Sequence, residues 1–220
     1  MGILIDFEGI SGCGKSESVE DLRYYLNEKG YKTCVIEWNS NRIIRRIVRK
    51  MDSLNILTSG IYSFFQWVGF LIDYIFKIVP LLKRDYVLIA DRYVYTGMTR
   101  DIVNGAWAAP GRFLHSVVIK PDLTFFYDVD PQVCYERIKE RGKPLFHTNQ
   151  IIWKSRILKN KDLYYIVKLR REYMRLFHNQ MAGKESKIIQ VNDDMENVKE
   201  SVEKVLSGKR RMGVYVKMFN

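Results

Sequence analysis

Residues 9–16 read Gly-Ile-Ser-Gly-Cys-Gly-Lys-Ser, a full match to the phosphate-binding pattern G-x-x-x-x-G-K-[S/T]. This run constrains the fold because it works only between a buried strand and a helix. Ile3-Leu4-Ile5-Asp6-Phe7 before it is apolar and β-branched enough for that strand. Glu17 to Asn27 after it has helix-forming composition, with Val19, Leu22, Tyr25 and Leu26 at apolar positions. Glycines let the backbone curl so that consecutive N–H groups point at a polyphosphate, and the helix adds its positive end. Gly9, Ser11, Gly12, Cys13, Gly14, Lys15, Ser16 and Glu17 are therefore the nucleotide-binding candidates. Lys15 would reach the β- and γ-phosphates, and the Ser16 hydroxyl would ligate Mg²⁺. The expected ligand is a nucleoside triphosphate with Mg²⁺.

Four further β-type runs follow, at Thr33–Trp38, Tyr86–Ala90, Leu123–Tyr127 and Lys187–Val191, with long helical segments between them. That alternation predicts an α/β fold, a five-stranded parallel sheet with helices on both faces and ligands outside the carboxyl ends of the strands. No linker divides the chain, so residues 1–206 read as one domain and 207–220 as a tail containing a strand-like Val214-Tyr215-Val216. Ser207-Gly208 is the expected end of the last helix, and Asp130-Pro131 the start of one that stops near Arg141-Gly142. Gln150 to Met181 reads as one long helix or two.

Composition narrows the setting. At 220 residues the chain can bury a sizeable core. Cys13, Cys34 and Cys134 are odd in number and lie in no metal-ligand spacing, and no secretory signal is apparent, which points to free thiols and the cytoplasm. The apolar stretch Ile61 to Leu82 is interrupted by Gln66, Asp73, Lys77 and Pro80. Its apolar positions follow helical spacing, so it reads as a buried amphipathic helix, with a homodimer through 61–82 as an expectation and no membrane span. The net charge of +11 is scattered along the chain, so no nucleic-acid partner is expected.

Further candidates sit at strand ends. Asp91-Arg92-Tyr93 closes the third strand, where Asp91 would hold Mg²⁺ through water and Arg92 would stabilise the phosphoryl group or hold the acceptor. Arg137 and Arg141, four residues apart on one helix face, precede Gly142-Lys143-Pro144, which would open a lid over about 142–150. A solvated basic face would look the same, since Glu136 and Glu140 share that helix. Glu37 ends the second strand and would take the acceptor's proton or order its sugar, while Asn39 and Asn41 serve equally well as turn and cap residues. The three histidines are not grouped, and only His147, in the lid, merits attention.

With these residues in place, the chain resembles the thymidylate kinase-like nucleoside and nucleotide kinases. The resemblance rests on Phe7-Glu8-Gly9 leading into the loop, on Asp91-Arg92-Tyr93, on Lys120-Pro121-Asp122-Leu123 and on Glu136 to Gly142. It spans residues 1 to about 206 and implies γ-phosphoryl transfer from Mg²⁺-ATP to a small-molecule acceptor oxygen, a nucleotide or nucleoside. It further implies that Lys15, Arg92, Arg137 and Arg141 stabilise charge, and that Asn192 packs the adenine.

The chain also departs from the family. Glu37-Trp38-Asn39 stands for Glu-Pro-Gly, and Leu145-Phe146-His147-Thr148 for Asp-Arg-x-Glu in the lid. Thr99-Arg100-Asp101 occupies the place of the base-touching Tyr-Gln pair. Ser63 to Ile75 carries Gln66 but no cation, where the family has an arginine on the acceptor's phosphate. An ungripped dianion forgoes about 1.5–3 kcal/mol. Either Arg100, Arg42 or Arg45 takes over, or the acceptor has no 5′-phosphate, as in deoxynucleoside kinases. Glu37, Gln66, Arg92 and Arg100 are the acceptor-side candidates. The alternatives to a nucleoside monophosphate kinase are a nucleoside or specialised small-molecule kinase, and a non-catalytic nucleotide switch.

Overall fold

The computed structural model describes residues 2–142, 145, 148–149, 152, 154–181, 188–191 and 195–218. Five parallel strands form one sheet in the order β2-β3-β1-β4-β5. They are β1 (Ile3–Gly9), β2 (Thr33–Glu37), β3 (Val87–Asp91), β4 (Leu123–Tyr127) and β5 (Ile188–Val191). Burial on both faces explains why β1 and β4 are buried at every position, whereas edge strand β2 is only half-buried. Helices cover both faces, giving the α/β phosphate-loop kinase fold that the strand pattern predicts.

Helix α1 (Lys15–Glu28) follows the loop and buries Val19, Leu22 and Leu26. Asn41 caps α2 (Arg42–Ser53) by accepting from the Ile43 and Ile44 amides, so the cap reading is the correct one for this residue. Helix α3 (Ser59–Asp73) runs into a π-helical turn, Tyr74–Ile78, and then α4 (Val79–Lys83). Pro80 has no N–H for the carbonyl four residues back and its ring crowds that carbonyl, so the widened turn absorbs it. By length and composition Ser59–Lys83 is apolar enough to cross a bilayer. In the structure Trp67, Phe70, Ile78 and Leu82 instead join the core packed on the sheet, while Phe64, Ile75 and Phe76 stay exposed.

After β3 come α5 (Val94–Asn104) and α6 (Ala109–Val117). Asp130 caps α7 (Pro131–Glu140) through the Gln132 amide, as its sequence predicts. The long helical stretch is interrupted. Residues 155–160 are not helical, and α8 (Lys161–Met181) begins beyond Asn160, which accepts from the Leu163 amide. The last helix, α9 (Met195–Met218), does not stop at Ser207-Gly208, and the strand-like segment at 214–216 is helical. A single glycine costs only about 1 kcal/mol in a helix. No proline follows it, and Lys209-Arg210-Arg211 are good helix formers.

Candidate functional site

The strand register sets the site. Phe7 and Glu37 both pair with Asp91, so the loop after β1, the end of β3 and the end of β2 lie side by side. Gly9, Gly12 and Gly14 all have positive φ, at 144°, 85° and 98°. At Gly12 a Cβ would also lie 2.5 Å from the Cys134 carbonyl oxygen, so this position admits only glycine. Gly14 begins α1 with no side-chain cap, which leaves first-turn amides for an anion. Cys13 is fully buried, so only its backbone is placed to meet a phosphate.

Lys15 is buried and folded onto the loop, donating to the Ile10 carbonyl at 2.9 Å and the Cys13 sulfur at 3.3 Å. Burial lowers its pKa, with the Arg92 charge acting in the same direction. The Ser16 hydroxyl donates to Asp91 Oδ2 at 2.7 Å. A hydroxyl beside a carboxylate is a hard oxygen pair that suits Mg²⁺, which takes one or two protein ligands and completes its shell with water and phosphate. Among the described residues no cluster of three or more His, Cys, Asp or Glu offers a rival metal site.

Arg92 adopts the left-handed region, with φ 77°. Its Nη1 donates to the Gly9 carbonyl at 2.7 Å, and Nη2 lies 3.5 Å from Ser11 Oγ. Burial works against its charge, but Tyr173, Asp91 and Glu8 outweigh that and hold it protonated. Arg137 Nη1 reaches the Gly12 carbonyl at 3.4 Å, and Arg141 lies 3.7 Å from Glu17. Ser11, Gly12, the run Gly14 to Glu17, Asp91, Arg92 and Arg141 surround a hollow of about 220 Å³. Lys15, Ser16, Asp91, Arg92, Arg137 and Arg141 therefore converge.

On the far side of Arg92 lies a second crevice, lined by Glu37, Trp38, Asn39, Phe70 and Arg92. Arg45 donates to the Asn39 carbonyl at 2.6 Å and sits 3.6 Å from Glu37. Asn39 turns the chain there with φ 59°. Arg100 lies 3.4 Å from the Tyr62 hydroxyl. Gln66 does not meet the phosphate hollow; it is buried and donates to Asp101, which also accepts from Trp67 Nε1 at 2.7 Å. Burial pushes the Asp101 carboxyl up to about 6. Thr148 and Asn149 are buried against Ser59 and Val103, whereas Lys143, Pro144, Phe146, His147 and Asn192 lie outside the described residues.

The sequence matches the thymidylate kinase family profile over residues 7–202. The chain belongs to the thymidylate kinase family. It is thus a transferase, an ATP-dependent phosphotransferase of the nucleoside monophosphate kinase type. It is 37% identical over 144 residues to the probable thymidylate kinase 2 of Saccharolobus solfataricus, covering 66% of this chain and 67% of that one. The probable thymidylate kinase of Archaeoglobus fulgidus is 26% identical over 93% of this chain and 94% of its own. The thymidylate kinase of Caldanaerobacter subterraneus subsp. tengcongensis is 29% identical over 80% and 81%.

Sequence reasoning passed over the buried partners of this site. Glu8 stood out only as part of a motif, although a carboxylate inside a buried strand is a signal in itself. Thr96 and Tyr173, which join it, carry no local signal.

Proposed function

We propose that the chain moves the γ-phosphoryl group of Mg²⁺-ATP onto the 5′-phosphate of a nucleoside monophosphate, with thymidylate as the acceptor. One observation carries the reading: Arg92 lines both the phosphate-loop hollow and the acceptor-side crevice, so a single guanidinium can meet a group passing between them. The relatives' names support thymidylate.

The amides from Gly9 to Ser16 cradle the β- and γ-phosphates, and Lys15 exchanges the Ile10 carbonyl for a phosphate oxygen. Ser16 and Asp91 hold Mg²⁺, which neutralises charge on the phosphate oxygens when bound. Arg137 and Arg141 close over the donor, and Glu37, steadied by Arg45, orders the acceptor. Arg45 is committed to Glu37 and Asn39, which leaves Arg100 and Arg42 as grips on the acceptor's phosphate. We place the reaction in the cytoplasm, in keeping with three free cysteines. The exposed Phe64, Ile75 and Phe76 suit a second copy of the chain.

A second reading has its own support. Ser63 to Ile75 offers no lysine or arginine to an acceptor's phosphate, and Gln66 there is a buried neutral amide bonded to Asp101, which favours an acceptor without a 5′-phosphate. A coupled assay for ADP release with nucleoside monophosphates and nucleosides separates the two. Turnover on thymidylate supports the first reading, and turnover on thymidine alone supports the second. ATP binding with no turnover on any acceptor would sink both and favour a switch.

A further inference from the structure

Arg92 is held by a buried network that the roles above leave unused. Glu8, the last side chain before the loop, is fully buried and accepts four hydrogen bonds. They come from the Tyr93 amide at 2.9 Å, the Thr96 amide at 3.1 Å, the Thr96 hydroxyl at 2.6 Å and the Tyr173 hydroxyl at 2.9 Å. Tyr93 is the N-cap of α5 and has no side-chain cap bond of its own. Glu8 therefore caps α5 from another element, with its charge at the helix's positive end.

The direction of these bonds matters. The Thr96 and Tyr173 oxygens also lie 2.7 Å from each other, so their two protons are shared between that contact and the one carboxylate oxygen of Glu8 that both reach. The remaining lone pairs on the two oxygens face Arg92 Nη1, which lies 3.4 Å from Thr96 Oγ1 and 3.3 Å from the Tyr173 oxygen. The Tyr173 ring packs against Phe126 and Phe177, with centroids 5.8 and 5.9 Å away. The left-handed backbone of Arg92 is strained in a non-glycine residue. Its amide bond to the Phe7 carbonyl, at 3.1 Å, and the capped turn that follows hold it there.

We infer that Glu8, Thr96 and Tyr173 are positioning residues for phosphoryl transfer: the Glu8 carboxylate orients two hydroxyls so that they fix the Arg92 guanidinium at the mouth of the phosphate loop. The inference rests on the reading that Arg92 serves the reaction. Because Tyr173 belongs to α8, it also ties the seat of that helix to the loop.

Tyr173→Phe removes the hydroxyl that bonds Glu8 and faces Arg92, and no packing. Glu8→Gln keeps the shape, but its amide N–H groups turn a hydroxyl proton towards the guanidinium or leave a helix amide unmatched. Tyr173→Phe should lower kcat about tenfold with both KM values and Tm little changed, and Glu8→Gln by about 10- to 100-fold. In an Arg92→Ala background, Tyr173→Phe should cost nothing further. If Glu8→Gln fails to fold, Tyr173→Phe carries the test. Unchanged kcat in Tyr173→Phe, or the same fractional loss in both backgrounds, overturns the inference while Arg92 keeps its role. Unchanged kcat in Arg92→Ala removes the reading beneath it, and the inference with it.

Discussion

The donor hollow and the acceptor crevice share Arg92 but are built on different principles. The hollow uses main-chain amides, positive-φ glycines and a lysine from one strand-loop-helix unit, residues 3–28. Its phosphate cradle is local, and only Asp91, Arg92 and Arg141 come to it from elsewhere. The crevice is assembled from the end of β2, from α3 and the turn after it, and from the end of β3, with Trp38, Trp67 and Phe70 in mutual ring contact at 5.2–5.9 Å. Its specificity lies in side chains brought together only by folding, so each element can change it separately. The same contrast separates what the fold must keep from what it can vary, and mutations should divide accordingly.

The donor side should break most severely. Lys15→Ala removes the cation placed on the transferred group, and turnover should fall by about a thousandfold or more with an unchanged circular dichroism spectrum. Arg100→Ala sharpens the contrast from the other side. It should raise KM for thymidylate by about 10- to 100-fold and leave KM for ATP alone; an unchanged acceptor KM removes Arg100 as the phosphate grip.

Asp101, bonded to Trp67 beside the crevice, carries a pH signature. Its folded pKa, about 6, lies above the ordinary value of 3.8, so the folded state binds the proton more tightly. Stability relative to Asp101→Asn should therefore fall as pH rises from about 4 to 6, by at most about 3 kcal/mol, and be flat above that. Paired denaturant titrations across that window check the sign. A difference that grows more favourable with rising pH contradicts it.

Gly97 yields the smallest effect. A Cβ there would lie 2.6 Å from the Trp67 ring and 2.7 Å from the Trp38 ring. Alanine gains up to about 1 kcal/mol of helix propensity but overpacks two indoles at about 1–3 kcal/mol, so Gly97→Ala should lower Tm. Affinity for Mg²⁺-ATP should not change, because the packing belongs to the crevice alone.

Legibility in the sequence follows the same division. The strand cores, the loop, Asp130-Pro131 and the Asn41 cap are dictated by residues within a few positions, and all could be read from the chain. Sequence could also place Asp91 and Arg92 at a strand end, because burial ends there. It could not show that Glu8 reaches the first turn of α5, 85 residues on, and Tyr173, 165 residues on. Nor could it pair Gln66 with Asp101, because one α3 face looks like any other until α5 packs on it. Ser207-Gly208 misled for the opposite reason: a local stop signal is weak, and the helix continued through it.

The most direct test of the account follows the label from ATP carrying ³²P at its γ-phosphate, incubated with the full chain, magnesium and thymidylate. The account predicts radioactive thymidine diphosphate, with Arg92→Ala and Lys15→Ala forming it far more slowly. Label recovered only as inorganic phosphate, or on thymidine but never on thymidylate, would contradict it.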